Sequence, residues 1–152
     1  KKEKKAILLI VGDGNLRDAM FEKIKNLGIC DAVVYLGRRE DIHQFYNAMD
    51  CFLLPSLYEG VPVVGVEAES CGLPMFFSTE ISKESNACDD IGYFISLDKG
   101  AEIWADTVLR QTKKNIDTRC DHRELVKEAG FDSAKEGKKL TEYYLEVLKN
   151  FK

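Results

Sequence analysis

Apolar residues along this chain fall into two alternating kinds of segment. Short unbroken runs, Ala6–Val11, Ala32–Leu36, Cys51–Leu54, Pro74–Phe77 and Ile91–Leu97, have the length and continuity of strands covered on both faces. Elsewhere the apolar residues recur three or four apart. Leu16, Ala19, Met20, Ile24 and Leu27 form one such stripe, closed by Gly28, and Ile42, Phe45, Tyr46 and Met49 form another within Asp41–Met49. Ala101–Lys114, Arg123–Ala129 and Ser133–Leu148 repeat the helical period, while Thr79–Asp90 is polar and reads as a loop. The alternation, with short connections, predicts an α/β fold: a Rossmann-like parallel sheet flanked by helices, joined by right-handed crossovers. Ligands of such sheets bind beyond the carboxyl ends of the strands. The chain has no internal repeat and no low-complexity segment, and 152 residues suit one domain, 1–152, with terminal helices from about residue 101.

The densest chemical signal lies just after the third apolar run, in Leu54-Pro55-Ser56-Leu57-Tyr58-Glu59-Gly60-Val61-Pro62-Val63-Val64-Gly65-Val66-Glu67-Ala68. Glu59 and Glu67 have seven residues between them. On one unbroken helix they would stand about 12 Å apart in rise and ~80° apart in rotation, unable to share a ligand. The Gly60-Val61-Pro62 break changes that, because Pro62 suits the first turn of a new helix. Glu59 then lies in the loop and Glu67 about one and a half turns into the helix. The amides of Gly60, Val61 and Val63 lie between them, at the positive end of a helix dipole suited to an anion. Two carboxylates able to accept from sugar hydroxyls, flanking a phosphate-ready helix start, describe a nucleotide-sugar site. Each glutamate taken alone would read as a solvated helix-end charge.

Together with Gly72-Leu73-Pro74 and Ser78-Thr79, the string P-S-L-Y-E-G-V-P-V-V-G-V-E-A-E-S-C-G-L-P resembles the E-x7-E segment of GT-B retaining glycosyltransferases of family four, especially bacterial capsule and exopolysaccharide enzymes. The resemblance implies the C-terminal, donor-binding lobe of a GT-B fold. By it, Glu67 accepts hydrogen bonds from ribose hydroxyls, and Glu59, the catalytic candidate, contacts the transferred sugar beside the reacting carbon. Ser56, Gly60, Val61, Pro62 and Val63 complete the donor contacts. A UDP-sugar is the favoured donor by family frequency, retention of configuration the outcome, and no metal cofactor is expected. The acceptor would be a saccharide or a lipid-linked sugar in surface polysaccharide synthesis.

Two further segments bear on the donor. In Val11-Gly12-Asp13-Gly14-Asn15-Leu16-Arg17, two glycines between strand and helix allow the backbone to approach a diphosphate, and the helix start at Asn15 supplies amides. A dinucleotide fingerprint wants a third glycine where this chain has Arg17, which argues against NAD or FAD. An ordinary strand-helix turn is the alternative. The turn is similar to the V-G-D-G-P-L-R turn of the same family, with Asn15 in place of proline, and by that resemblance Gly12 and Gly14 lie against the donor. Beyond the second apolar run, Gly37-Arg38-Arg39-Glu40-Asp41 occupies the place where the family holds the nucleobase. Arg38 or Arg39 faces base or phosphate there, or else pairs with Glu40 and Asp41. The family's upstream G-R-x-x-x-x-K-like segment, which neutralises the diphosphate, has no match here. The resemblance therefore implies a fragment of a two-lobe enzyme whose N-terminal acceptor lobe lies elsewhere in the polypeptide, inactive alone, with peripheral membrane association compatible with the full-length enzyme.

Composition removes other classes. A net charge of −4 supplies no global basic field for nucleic acid, and the lysines of Lys1–Lys5 and Lys138-Lys139 read as solvated faces. No apolar run approaches the ~20 residues of a membrane span, and no signal peptide precedes the first strand, so a cytoplasmic location is expected. Five cysteines without C-x-x-C spacing indicate neither a disulfide framework nor a zinc site, and the two histidines, His43 and His122, lack ligand partners at helical or turn spacing. A receiver-like regulatory module has similar size and alternation but needs an aspartate at the end of the third strand, where this chain has Leu54-Pro55-Ser56. A glycoside hydrolase would use a carboxylate pair ~5–10 Å apart, yet has no use for a phosphate-ready helix start between them.

Overall fold

The computed structural model describes residues 3–88 and 90–151, so Lys1 and Lys2 of the basic amino-terminal segment, and Asp89 within the polar loop, lie outside the described residues. The chain divides into two compact units, one running to Phe45 and the other beginning at Tyr46. In the first, β1 (Leu8–Val11) pairs in parallel with β2 (Val33–Gly37) through the register Leu8–Val33 to Val11–Gly37. Between them runs α1 (Arg17–Asn26), whose Ile24 is its buried residue. Edge-on packing of Phe21 on Tyr35, with ring centroids 5.2 Å apart, lays the helix on β2.

The boundary between the units falls inside α2 (Ile42–Ala48). In the second unit, β3 (Phe52–Leu54), β4 (Met75–Ser78) and β5 (Gly92–Ile95) form a parallel sheet in that order. Every residue of β4 is buried, as its unbroken apolar run requires of a central parallel strand. Phe76 stacks on Tyr93 and Phe77 meets Phe94 at 5.4 Å, giving β4 and β5 an aromatic seam. The connection from β3 to β4 is α3 (Val63–Ser70). A Cβ at Gly65 would lie 3.0 Å from Cζ of Phe77, so the absent side chain is what lets α3 sit close over β4. After β5 come α4 (Gly100–Asn115), the short α5 (Arg123–Val126) and α6 (Ser133–Asn150).

Every predicted strand and helix is present, with ends displaced by at most three residues. The strands form two parallel sheets, one per unit, rather than the single sheet expected. Three local readings change as well. Pro62 is the N-cap of α3 with extended backbone, not a first-turn residue, and its carbonyl accepts the amides of Gly65 and Val66. The polar loop holds a 3-10 turn at Lys83–Ser85, which Ser82 caps through its hydroxyl. The helix predicted over Arg123–Ala129 closes at Val126 in a wide turn, because Gly130 takes φ +100°, a conformation that L side chains rarely adopt.

Two helices end in the same way. At α1 the amide of Gly28 donates to Lys25 and that of Ile29 to Ile24; at α3 Gly72 donates to Glu69 and Leu73 to Ala68. Both are Schellman closures with glycine at positive φ. They differ in surroundings, for a Cβ at Gly28 meets open space, whereas one at Gly72 would collide with the carbonyl oxygen of Cys120. Gly28→Ala should lose about 1 kcal/mol of stability for the left-handed conformation, and Gly72→Ala should lose that plus a backbone collision, exceeding about 3 kcal/mol. Urea titrations of both variants compare the two, and equal losses would refute the close approach.

Candidate functional site

In the second unit the strand-loop-helix segment after β3 carries Ser56, Glu59 and Glu67, and each glutamate accepts from a hydroxyl. Glu59 is half-buried in the loop and forms a single parallel bridge with Ile81. The Ser56 hydroxyl donates to its Oε1 at 3.2 Å. Glu67 is half-buried on α3, where the hydroxyl of Tyr46 donates to its Oε2 at 3.1 Å. Burial and the Glu67 charge together push the Tyr46 hydroxyl above the usual tyrosine range, so it stays a proton donor.

The loop itself is pinned from below by two fully buried serines. Ser78, the last residue of β4, donates through Oγ to the carbonyl of Ser56 at 2.5 Å, and Ser85 donates to the carbonyl of Gly60 at 3.1 Å. Pro62 is buried, while Gly60, Val61 and Val63 are exposed. With Gly65 and Val66 already donating to Pro62, the amides of Val63 and Val64 are the first-turn donors to which the helix geometry gives no partner. The arrangement can accept from hydroxyls at two carboxylates and donate to an anion at the helix start.

The E-A-E sequence contains a third carboxylate that the motif reading passed over. Glu69 is completely buried, and its two oxygens accept the amides of Ala87 (3.0 Å) and Cys88 (2.5 Å). It lies on the face that carries Gly65 and Ala68, and that spacing is the signal in the sequence that marks it as inward-facing. Burial, with the Glu69 carboxylate beside it, pushes the Cys88 thiol from its ordinary value of 9.0 up to about 12. Tyr46, Ser85 and Arg119 were likewise not singled out by motif; their partners lie 21 to 73 residues away in sequence.

In the first unit, Asp13, Gly14, Asn15, Arg17, Asp18 and Arg38 line a polar cavity of about 410 Å³. Gly12 adopts φ +130° and donates its amide to the carbonyl of Gly37, so glycine is required there. Gly14 has no such conformation, and a Cβ on it would meet nothing within 4 Å. Asp13 accepts from the Gly14 amide and the Tyr35 hydroxyl and stands 3.9 Å from Arg17. The two arginines part company. Arg39 makes a fork onto Asp41, with both bonds at 2.8 Å, and its guanidinium lies 5.4 Å from the Phe45 ring centroid. That pairing holds the Asp41 carboxyl below the usual range. Arg38 forms no ion pair among the described residues and faces the cavity. No three His, Cys, Asp or Glu residues among those described are grouped to hold a metal, and no described helix is long and apolar enough to cross a membrane.

Parallel strands joined by crossover helices, with Glu59 and Glu67 in the strand-loop-helix segment after β3, make an α/β fold of the kind found in GT-B glycosyltransferases. Residues 1–113 match the family model described as Glycosyl transferases group 1, and the chain belongs to that family. It is 33% identical over 126 residues to EpsF of Bacillus subtilis (strain 168), a protein named as a glycosyltransferase, covering 83% of this chain and 33% of that one. It is 28% identical over 149 residues to the UDP-Gal:alpha-D-GlcNAc-diphosphoundecaprenol alpha-1,3-galactosyltransferase of Escherichia coli, covering 95% of this chain and 38% of that enzyme. The crystal structure of Anabaena Alr3699/HepE in complex with UDP shares the fold at a TM-score of 0.76 and 20% identity, over 95% of this chain and 42% of that one. The chain thus spans about a third of the length of these two curated relatives.

The raised Cys88 and Tyr46 groups give the second unit an alkaline weakness. Between pH 9 and about 12 the unfolded chain releases the Cys88 proton while the folded chain retains it, so stability falls as pH rises through that window. Urea midpoints measured from pH 8 to pH 10.5 should fall more steeply for the unaltered chain than for Cys88→Ala. Parallel slopes would mean that Cys88 is not held as a thiol.

Proposed function

We propose that this chain is the donor-binding lobe of a two-lobe glycosyltransferase that passes a hexosyl group from a UDP-sugar, with retention of configuration, to a saccharide or lipid-linked acceptor in surface polysaccharide synthesis. In that reaction the anomeric carbon exchanges its bond to the diphosphate oxygen for one to an acceptor hydroxyl oxygen, releasing UDP and a proton. The observation that carries the reading is the pair of half-buried glutamates on either side of the α3 start, each accepting from one hydroxyl. Membership of a glycosyltransferase family supports it, as do the UDP bound by a protein of the same fold and the lipid diphosphate acceptor in the name of a relative.

Within this reading Glu67 accepts from the ribose hydroxyls and Glu59 from those of the transferred sugar beside the reacting carbon. Charge-assisted bonds make a carboxylate the suitable acceptor for both. The exposed backbone of Gly60, Val61 and Val63 approaches the diphosphate, whose charge the helix start stabilises without a metal being assigned. Ser56 and the buried Pro62 hold that backbone in place. In the first unit the Gly12–Gly14 turn and Arg38 are assigned to phosphate or base. Arg39, engaged by Asp41, acts there through its backbone and by bracing the loop. Cytoplasmic location and an acceptor lobe from the same polypeptide complete the proposal.

Glu67→Gln should weaken UDP binding by about 1.5–3 kcal/mol, one to two decades, as calorimetry would record. Glu59→Gln, in the polypeptide carrying both lobes, should lower the rate of sugar transfer more than the affinity for UDP. Unchanged affinity and turnover in both variants would remove the assignment.

The turn in the first unit is tested separately. Because a side chain at position 14 has open space and no strained backbone, Gly14→Val should keep the circular dichroism spectrum and thermal transition of the parent while abolishing amide shifts on UDP titration. A titration indistinguishable from the parent's would leave the turn as an ordinary strand-helix connection.

A further inference from the structure

We infer that Tyr46 is a positioning residue for ribose recognition: its hydroxyl occupies Oε2 of Glu67, fixes the carboxylate plane, and so sets how strongly the site distinguishes a ribose diol from a sugar lacking it. The inference rests on the assignment of Glu67 to the ribose. The geometry is that of a built support. The Tyr46 side chain is 2% exposed, packs edge-on against Phe52 with centroids 6.0 Å apart, and reaches Glu67 from 21 residues away. Its main chain is held as well, for Arg119 donates through Nη2 to the Tyr46 carbonyl at 2.8 Å. Ring and backbone both being fixed, the hydroxyl has one place to point.

A half-buried glutamate on a helix otherwise samples several side-chain conformers, and a ligand must order them on binding. With Oε2 tied to a rigid donor, that ordering is complete before the ligand arrives. A carboxylate has about four lone-pair sites, so one accepted bond leaves the others open for the two ribose hydroxyls. The contrast with Glu59 is instructive. Its brace, Ser56, is a short and partly exposed side chain free to turn toward a ligand, whereas the Tyr46 ring cannot leave its place. Burial raises the phenol further from ionisation, so the brace persists across the working pH range.

The test titrates this 152-residue chain, its Tyr46→Phe variant and its Glu67→Gln variant with UDP and with 2′,3′-dideoxy-UDP, which lacks the diol. Phe keeps the ring packing, and water can replace the lost hydroxyl at the half-buried Glu67, so the variant folds, as its thermal transition checks. Tyr46→Phe should lower affinity for UDP about three- to tenfold and leave that for the dideoxy compound unchanged, a change in ratio that a merely structural role would not produce. Equal losses for both nucleotides, or none for either, would overturn the positioning role. If Glu67→Gln collapses the ratio while Tyr46→Phe does not, the inference alone falls. If the parent does not bind UDP, binds both compounds equally, or shows the same ratio after Glu67→Gln, the ribose assignment falls and takes the inference with it.

Discussion

The geometry of the carboxylate site depends on how the far end of α3 is closed. A helix leaves its last carbonyls unpaired, and in α3 each of them finds a donor. The carbonyl of Glu67 receives the Ser70 hydroxyl, that of Ala68 the Leu73 amide, that of Glu69 the Gly72 amide, and that of Ser70 the His122 amide. Arg119 then donates through Nε to the Cys71 carbonyl while its two terminal nitrogens reach the carbonyls of Met49 and Tyr46 at the end of α2. One guanidinium thus binds the negative ends of two helices, each of which carries one member of the Tyr46–Glu67 pair. The segment 119–122 fits only because Gly72 has no side chain to meet the Cys120 carbonyl.

This closure explains the asymmetry of α3. Its carboxyl end is satisfied wholly by protein, its buried face is fixed by Gly65 against Phe77 and by Glu69 on two backbone amides, and its amino end keeps the donors of Val63 and Val64. Polar groups that are already paired cannot reorganise around a ligand, so the open ones are held in a rigid frame. The loop before the helix follows the same logic, with Ser78 and Ser85 each holding a carbonyl of the loop from a buried position. Preorganisation here is a hydrogen-bond network in the second unit, built from small hydroxyls and one tyrosine.

The strands and helices were legible because their signals are local. Unbroken apolar runs mark buried parallel strands, and three-to-four spacing marks helices, so β4 and α4 lie where those patterns put them. The residues that such a reading overlooks share one property: their partners are remote. Ser85 meets Gly60 across 25 positions and Arg119 meets Tyr46 across 73, distances at which no periodicity operates. Glycines divide in the same way. Gly28 and Gly72 are equivalent as helix stops in sequence, and only the folded chain reveals that one of them also makes room for another segment's backbone. Arg38 and Arg39, adjacent and alike in type, are indistinguishable in sequence, and only the fold sets them apart by placing Asp41 in a fork with Arg39 alone.

Glu67 and Glu69 show how little residue type decides by itself. Two positions on a helix turn the side chain by about 200°, which carries the same carboxylate from a rim to a core. At 69 the environment supplies two backbone amides and full burial, and the group becomes a structural acceptor whose removal would strand those donors. At 67 it supplies one hydroxyl and leaves the rest open, and the group remains able to accept from something outside the chain. Whether a carboxylate serves fold or ligand is therefore set by how many of its acceptor sites the protein fills. By that measure Glu59 and Glu67, each with one donor in place and capacity to spare, are suited to bind hydroxyls, and Glu69 is suited to hold the helix that presents them.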